Sequence, residues 1–356
     1  MTRLRRGLQT QQVRQGIAIL ALLIALAGVT ERLGGAAAAG TGGRPPHDVI
    51  FGFNDDWLKY RAGLDYPQGA GAEALRFPVS WREVQRKPGR WRWRNYDQLY
   101  DAATERGLGL IFTPQDSPCW AHPSVKCRRF GGTRPDRAYL DEFGRFVRRA
   151  LRRYPNILAV EVWNEPNLAP YYLPGPDPVE YARILRSLYA TVKAKRPHLP
   201  VLFGGTAPIG NTVAGRRMDY MRFVRTANNH GAAHSYDGIS VHSFEDLEGT
   251  KWMLERMQRE QARIGHPNRG LWLTEIGYSE SESGGEAEQA ALLIDTYQRL
   301  RRLPLVASII FHRMFDIEAD TRHADMGIVS ADGTRKLAYC AFAEARGLTC
   351  EPEPED

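Results

Sequence analysis

The sequence predicts a (β/α)8 barrel, in which eight parallel strands close into one sheet and helices surround it. Short apolar runs that favour β-structure alternate with segments whose apolar residues have helical spacing. Strands that alternate with helices are typical of parallel βαβ units. Eight such units suit a single closed barrel of about 250 residues before insertions.

Eight segments are predicted strands: Val49–Phe53, Ala74–Pro78, Gly109–Thr113, Ile157–Trp163, Val201–Gly204, Gly238–His242, Gly270–Glu275 and Val306–Phe311. Seven segments are predicted helices: Tyr96–Arg106, Leu140–Tyr154, Val179–Arg196, Tyr220–Asn228, Lys251–Ile264, Glu286–Leu303 and Lys336–Ala345. The first connection, Trp57–Tyr66, has the weakest helical pattern. A doubly wound open sheet is the alternative, and it usually carries a Gly-rich phosphate turn after its first strand. Residues 54–57 read Asn-Asp-Asp-Trp, without glycine, so we favour the barrel.

Both ends of the chain are expected to lie outside the barrel domain of residues 49–350. Residues 1–39 resemble a signal peptide or a membrane anchor, because arginines precede the apolar run Ile17–Val29 and small residues follow it. The run is shorter than the ~20 residues that a membrane-spanning helix needs. Residues 40–48 are a predicted linker and residues 351–356 a predicted acidic tail. We therefore expect an exported protein, extracellular or at the cell surface, which contacts a membrane only through an uncleaved N-terminus.

Four cysteines occur as two close pairs, Cys119 with Cys127 and Cys340 with Cys350. An even number in an exported chain indicates disulfides, and proximity favours these pairings over the two alternatives. Neither pair has the ligand spacing of a zinc site, and the nine histidines show no metal-binding motif. No metal and no cofactor are therefore expected.

The charge distribution argues against a nucleic-acid partner. The formal charge is +7, of which residues 1–39, with five arginines and one glutamate, carry +4. The remaining +3 is too small for a DNA-binding footprint, and no dense stripe of basic residues interleaved with aromatic residues is recognised. The chain also lacks the Gly-x-Ser-x-Gly elbow of many serine hydrolases. No pattern indicates a particular oligomeric state.

Two glutamates at predicted strand ends are the candidate catalytic residues. Glu165 follows the fourth strand and Glu275 ends the seventh, and the carboxyl ends of barrel strands carry the active site. One carboxylic acid to protonate the leaving oxygen and one carboxylate to attack the anomeric carbon are what glycosidic cleavage requires. The alternative for either glutamate is an ion pair at the barrel rim, for example with Arg76. Glu161 has the same side-chain parity as Glu165 but lies deeper, so we interpret it as a structural charge.

Two motifs resemble those of the glycoside hydrolases of clan A. Residues 163–167, Trp-Asn-Glu-Pro-Asn, resemble the strand-four motif that contains the acid/base. Residues 274–277, Thr-Glu-Ile-Gly, resemble the strand-seven motif that contains the nucleophile. Residues 76–81 and 88–97 resemble the second strand and helix of that clan. The similarity is greatest to family 39, with family 5 as its neighbour, and it covers residues 49–345.

The resemblance implies roles for further residues. Asn164 would hydrogen-bond the sugar hydroxyl beside the anomeric carbon, and Arg76 and His242 would lie near Glu275. Tyr278, or a residue of the loop after strand six, would bond Glu275. The clan usually places a Trp at the end of strand eight, where this chain offers Phe311 or His312. The other candidates for contact with substrate are Asp55, Trp57, Trp81, Trp120, Trp163 and Asn211, although several of the tryptophans have the core as an alternative place. Trp91 and Trp93 are expected to cap a helix.

The implied activity is hydrolysis of a carbohydrate with retention of configuration, with Glu165 as acid/base and Glu275 as nucleophile. One alternative is an exported barrel that binds polysaccharide without cleaving it, which the presence of both glutamates and Asn164 disfavours. Another is a transglycosylase that remodels a cell-surface glycan with the same carboxylates. The sugar and its linkage depend on loops that vary independently of the fold.

Overall fold

Eight parallel strands, each hydrogen-bonded to the next in chain order, close when β8 pairs with β1. This computed structural model describes residues 49–54, 63–127, 132–318 and 323–350. The strands are β1 Ile50–Asn54, β2 Ala74–Ser80, β3 Gly109–Gln115, β4 Ile157–Val162, β5 Val201–Thr206, β6 Gly238–Ser243, β7 Gly270–Ile276 and β8 Val306–His312. The predicted (β/α)8 barrel is therefore confirmed, and each predicted strand lies within a few residues of an observed one.

Helices follow the strands along the chain. They are α1 Asp65–Gly69, α2 Trp81–Val84, α3 Arg94–Glu105, α4 Leu140–Arg153, α5 Pro178–Lys195, α6 Tyr220–Ala227, α7 Leu247–Arg263, α8 Glu280–Ser283, α9 Glu286–Leu300 and α10 Leu337–Ala345. Short 3-10 turns occupy Cys119–Ala121 and Arg137–Tyr139, and a π turn extends α6 over Asn228–Ala232. Helix α7 begins before its predicted start because the Asp246 carboxylate accepts a hydrogen bond from the Gly249 amide at 2.7 Å and caps the first turn.

Two apolar layers result from the alternation of side chains along each strand. One set of strand residues packs inside the barrel and includes Ala159, Leu202 and Ile310. The next residues along the strands, such as Val160 and Phe311, face outward and pack in the layer of helices. Because the period is two, Glu161 falls on the inward face between outward-facing neighbours. The side chain of Glu161 therefore points into the barrel interior.

The predicted disulfides are present, between Cys119 and Cys127 and between Cys340 and Cys350. In the part of the chain that the structure describes, no helix has the length and apolarity that crossing a membrane requires. The predicted signal or anchor (1–39), linker (40–48) and tail (351–356) lie outside the described residues. Asp55 and Trp57 also lie outside the described residues. So does most of the weakly helical first connection, Trp57–Tyr66, whose end overlaps the start of α1.

Candidate active site

Glu165 stands on a turn of unusual backbone conformation directly after β4. Trp163 has φ = 75° and Glu165 has φ = 45°, a region that side chains other than glycine rarely occupy and that costs energy. Tertiary contacts hold this turn. The Glu165 amide donates to the Gly205 carbonyl at 2.8 Å, and the Trp163 indole donates to the Tyr171 carbonyl at 2.7 Å. The carboxylate of Glu165 is thereby fixed at the barrel mouth.

Glu275 lies opposite, near the end of β7, and the His242 side chain stands between the two glutamates. His242 on β6 is the strand neighbour of Glu275. The Nδ1 atom of His242 lies 3.1 Å from Oε1 of Glu165 and 3.7 Å from Oε2 of Glu275. One oxygen of each carboxylate and one nitrogen of His242 all lie within 4.8 Å of one another. Glu165 and Glu275 are 9% and 8% exposed, so both open to the mouth while most of their surface is buried.

Arg76 on β2 connects the floor of this site to Glu275 and Asn164. Its Nη1 atom donates to Oε1 of Glu275 at 2.6 Å and to Oδ1 of Asn54 at 2.9 Å. Its Nη2 atom donates to Oδ1 of Asn164 at 2.7 Å. The predicted position of Arg76 near Glu275 is therefore confirmed. Because Arg76 is only 2% exposed, its planar guanidinium orients Glu275 and Asn164 in a fixed geometry.

Glu161 is fully buried below this level and accepts four hydrogen bonds. Its donors are Arg76 Nε at 2.5 Å, Thr113 Oγ1 at 3.0 Å, Thr274 Oγ1 at 2.8 Å and the amide of Gly205 at 3.2 Å. Burial by itself raises the pKa of a carboxyl, but the charges of Arg76 and His242 outweigh it, so the pKa of Glu161 lies below its usual value. These contacts support its interpretation as a structural charge.

His242 is also fully buried. Burial disfavours the imidazolium, but the charge of Glu275 and the hydrogen bond to Glu165 outweigh burial and raise the pKa of His242 above its ordinary value. In its protonated form, His242 donates a hydrogen bond from Nδ1 to Glu165.

The raised pKa of His242 predicts a pH dependence of folding. A group whose pKa rises on folding contributes stability that is complete below its unfolded pKa, about 6.5, and is lost as the pH rises through the folded pKa. The free energy of unfolding should therefore fall across that window, and His242→Gln should remove this fall. Urea denaturation at closely spaced pH values measures it. The exposed His198→Gln is the control and should keep the wild-type slope; the same slope in His242→Gln would contradict the prediction.

Three predicted substrate contacts and the predicted bond from Tyr278 to Glu275 are not seen, because the four side chains pack in the outer core. Trp81 is fully buried against Phe143, and Trp163 is equally buried. Phe311 faces outward and packs on Phe342, with ring centroids 4.8 Å apart. The hydroxyl of Tyr278 is paired with Thr296 Oγ1 at 2.8 Å, so it is turned toward α9 and not toward Glu275.

His312 ends β8 and faces Glu275. Its Nδ1 atom lies 3.0 Å from Nδ2 of Asn54 and 3.9 Å from Oε2 of Glu275. Trp120 is half-buried, with its indole nitrogen donating to the Gln85 carbonyl at 3.0 Å. Asn211 is exposed in the loop after β5. Contact of Trp120, Asn211 or Asp55 with substrate stays a prediction, and Asp55 lies outside the described residues.

Asn54, Thr113 and Thr274 also belong to the site, although they were not predicted from the sequence. All three lie on inward-facing strand positions, and their side chains supply hydrogen-bond partners to Arg76 and Glu161. The alternation of side chains along the strands could have identified them as inward-facing polar residues, since Asn54 ends β1 and Thr274 precedes Glu275. The sequence does not show which groups they would bond.

The same cluster has the composition of a possible metal site. Among the described residues, Glu165, His242 and Glu275 offer ligand atoms within 4.8 Å of one another. Arg76, at 2.6 Å from Glu275, repels a second cation at this position. That catalysis needs no metal stays a prediction.

Comparisons with known proteins find the same fold in solved structures. A family model described as a family of unknown function (DUF5722) matches residues 225–348. No curated protein matches the chain. Solved structures with the same fold include a family 39 glycoside hydrolase from the gut symbiont Bacteroides cellulosilyticus WH2, with 21% identity, a TM-score of 0.66 and coverage of 84% of this chain. The chain spans 63% of the length of that protein.

Two further solved structures are similar. GH5_18 from Streptomyces cattleya, in complex with GlcNAc, has 20% identity and a TM-score of 0.65, and the match covers 86% of this chain and 82% of that one. A GH39 β-xylosidase from Caulobacter crescentus has 17% identity and a TM-score of 0.63, with 87% and 73% coverage. The chain has the fold of glycoside hydrolases of families 39 and 5. The resemblance predicted from the two Glu motifs is thus matched at the level of the fold.

Proposed function

We propose that this protein is a retaining O-glycoside hydrolase that cleaves an oligosaccharide or a polysaccharide by double displacement. The observation that carries the proposal is the close approach of Glu165 and Glu275. One carboxylate oxygen of Glu165 lies within 4.8 Å of one carboxylate oxygen of Glu275 at the barrel mouth. Retaining enzymes hold their carboxyl groups about 5–5.5 Å apart, whereas inverting enzymes need about 6.5–9.5 Å to admit a water molecule. The short separation favours retention.

Each glutamate has a role that its contacts support. Glu275, held by the cation of Arg76 at 2.6 Å, attacks the anomeric carbon as the bond to the leaving oxygen breaks. Glu165 gives its proton to that oxygen in the same step. In the second step Glu165 takes a proton from water, the hydroxide oxygen bonds to the anomeric carbon, and Glu275 is released. His242, at 3.1 Å from Glu165, stabilises the carboxylate that remains after the proton has left.

The substrate is proposed to lie over Asn164 and His312. Arg76 fixes Oδ1 of Asn164 at 2.7 Å, which leaves the amide nitrogen of Asn164 to donate to a sugar hydroxyl. His312 lies close to Glu275 at the end of β8, where its ring would border the same sugar.

The decisive experiment is to trap the glycosyl-enzyme. The purified protein is screened against aryl glycosides, and the 2-deoxy-2-fluoro analogue of the accepted sugar is then added. We expect mass spectrometry to locate the fluoro-sugar on the peptide that contains Glu275, and proton NMR to show a first product with retained configuration. An inverted first product, or binding of saccharide without turnover of any glycoside, would overturn the proposal. Products longer than the substrate would identify a transglycosylase instead.

We also propose that the protein is exported. The support is the signal-like pattern of residues 1–39 together with the two disulfides, which persist in oxidising compartments. Fractionation of the producing cells tests this, since a protein confined to the cytosol with reduced cysteines would exclude export.

A further inference from the structure

A cavity of about 860 Å³ opens beside the ends of β2 and β3, and neither Glu165 nor Glu275 lines it. Its wall comes from selected side chains between Phe77 and Leu99, among them Arg86, Arg92 and Arg94, together with Gln115, Asp116 and Arg153. We propose that this cavity is an accessory binding site for an acidic polysaccharide, whose carboxylate or sulfate groups pair with Arg86, Arg92 and Arg94. The assignment rests on the proposed function, because it supplies that active site with a class of substrate.

The charge of the wall is the first support. Residues 86–94 read Arg-Lys-Pro-Gly-Arg-Trp-Arg-Trp-Arg, which places five cations and two tryptophans in nine positions with no acidic residue. The expectation that the chain has no basic stretch interleaved with aromatic residues is therefore wrong for this segment. Arg86, Arg92 and Arg94 line the cavity and are exposed. Within the described ranges, none of the three forms an ion pair with a carboxylate.

The acidic residues of the same wall are already engaged. Asp97 accepts hydrogen bonds from Arg153, one of them at 2.8 Å. Glu83 accepts one from the Tyr96 hydroxyl at 3.0 Å. Asp116 faces Arg82 at 3.8 Å. Three arginines therefore remain without a carboxylate partner, and guanidinium groups pair with carboxylates and sulfates through parallel N–H donors.

Apolar surface lies next to these charges. The indole rings of Trp91 and Trp93 are parallel, with centroids 6.1 Å apart, and Trp91 is only half-buried. The guanidinium of Arg149 packs over the Trp91 ring at 4.6 Å from its centroid and fixes its orientation. A rigid aromatic surface beside hydrogen-bonding cations suits a sugar ring, whose C–H groups are apolar and whose substituents are polar.

One end of the cavity reaches the carboxyl ends of β2 and β3, and the other end reaches Arg153 at the end of α4. Ser80 and Gln115, the last residues of β2 and β3, are strand neighbours and both line it. Ser80 is four residues beyond Arg76 on β2, which is about 13 Å at the rise of an extended strand. Arg76 in turn contacts Glu275. A polysaccharide held in the cavity would therefore extend along the same face toward the two glutamates.

The test measures binding without turnover, in the Glu275→Gln background. The probes are polygalacturonate, dextran sulfate and neutral dextran, titrated by calorimetry at low and at high salt. We expect the two acidic polymers to bind and dextran to bind weakly or not at all, with affinity that falls as salt rises. The triple variant Arg86→Gln/Arg92→Gln/Arg94→Gln should weaken binding of the acidic polymers at least about tenfold. Trp91→Ala should weaken it about threefold or more.

The matched control is Arg186→Gln/Arg222→Gln/Arg302→Gln, which removes the same charge from exposed arginines outside the cavity wall. Equal losses in both triple variants would overturn the proposal, since net charge would then explain the binding. Tighter binding of single-stranded oligothymidylate than of polygalacturonate, or no binding of either acidic polymer, would also overturn it. Thermal unfolding of each variant confirms that the fold is intact.

Failure of the accessory site and failure of the proposed hydrolase activity give different results. A fluoro-sugar adduct on Glu275 with no binding of acidic polymers removes the accessory site alone. Binding that depends on the three arginines, with no adduct and no glycoside turnover, leaves a saccharide-binding cavity and removes the hydrolase.

Discussion

Replacing Glu275 with Gln is expected to lower the rate of glycoside hydrolysis on the order of 10⁴-fold or more, because the neutral amide cannot form the covalent intermediate. The fold should persist. Gln keeps an oxygen that can accept from Arg76, and Glu161 still balances the charge of that arginine. Steady-state kinetics on the best aryl glycoside, with urea denaturation on the same preparation, measures both effects. Hydrolysis within tenfold of the wild type would exclude Glu275 as the nucleophile.

Glu165→Gln should act differently, since the proton of Glu165 is needed only when the leaving group is a strong base. We expect hydrolysis of substrates with alkoxide leaving groups to fall about 10²–10⁴-fold. Formation of the intermediate from dinitrophenyl glycosides should be much less affected. The exposed Glu248→Gln is the control and should match the wild type with both leaving groups. A loss independent of the leaving group would contradict the assignment of Glu165 as the acid.

The second large effect is expected for Arg76→Met, which should lower the free energy of unfolding by about 3–5 kcal/mol, because Glu161 would be left as a buried carboxylate without its ion-pair partner. Activity should fall as well, since Asn164 and Glu275 lose the guanidinium that orients them. Chemical denaturation and kinetics on one preparation measure both consequences.

A double variant separates the two effects. Adding Glu161→Gln to Arg76→Met removes the buried charge, so part of the lost stability should return. Hydrolysis should stay as low as in the single variant, because Glu275 is still without its partner. Recovery of activity together with stability would show that Arg76 acts only by supporting the fold and does not position Glu275.

The fold was predictable because strands and helices leave apolar patterns among residues that are close in sequence. Eight apolar runs and the helical segments between them were visible along the chain, and the barrel they form was confirmed. The end of β8 shows the limit of the same method. From the sequence, either Phe311 or His312 could have reached the site. Adjacent residues of a strand face opposite sides of the sheet, and in the structure Phe311 faces α10 while His312 faces Glu275.

Aromatic residues were the least predictable part of the site. Trp81 follows β2 as a catalytic-loop residue would, yet it begins α2 and packs against Phe143 of α4. Tyr278 lies three residues beyond Glu275 and turns to α9. An aromatic ring has a large apolar surface that the core and a sugar site would bury equally well, so residue type does not choose between them.

The overall charge concealed a local feature in a similar way. The count of +3 for residues 40–356 averages over the chain, whereas residues 86–94 carry five cations and no acid. A binding surface responds to the charges within a Debye length, about 8–10 Å, and not to the sum over a protein.

The amino-acid order alone determined the strands, the helices, the two disulfide pairs and the presence of a Glu at the ends of β4 and β7. These features depend on neighbours in sequence, where periodicity and spacing are sufficient. The tertiary structure decided which polar groups meet. It brought Arg76, Glu161, His242 and Glu275 into one network from four different strands. Those contacts depend on the register of the closed barrel, which no stretch of local sequence encodes.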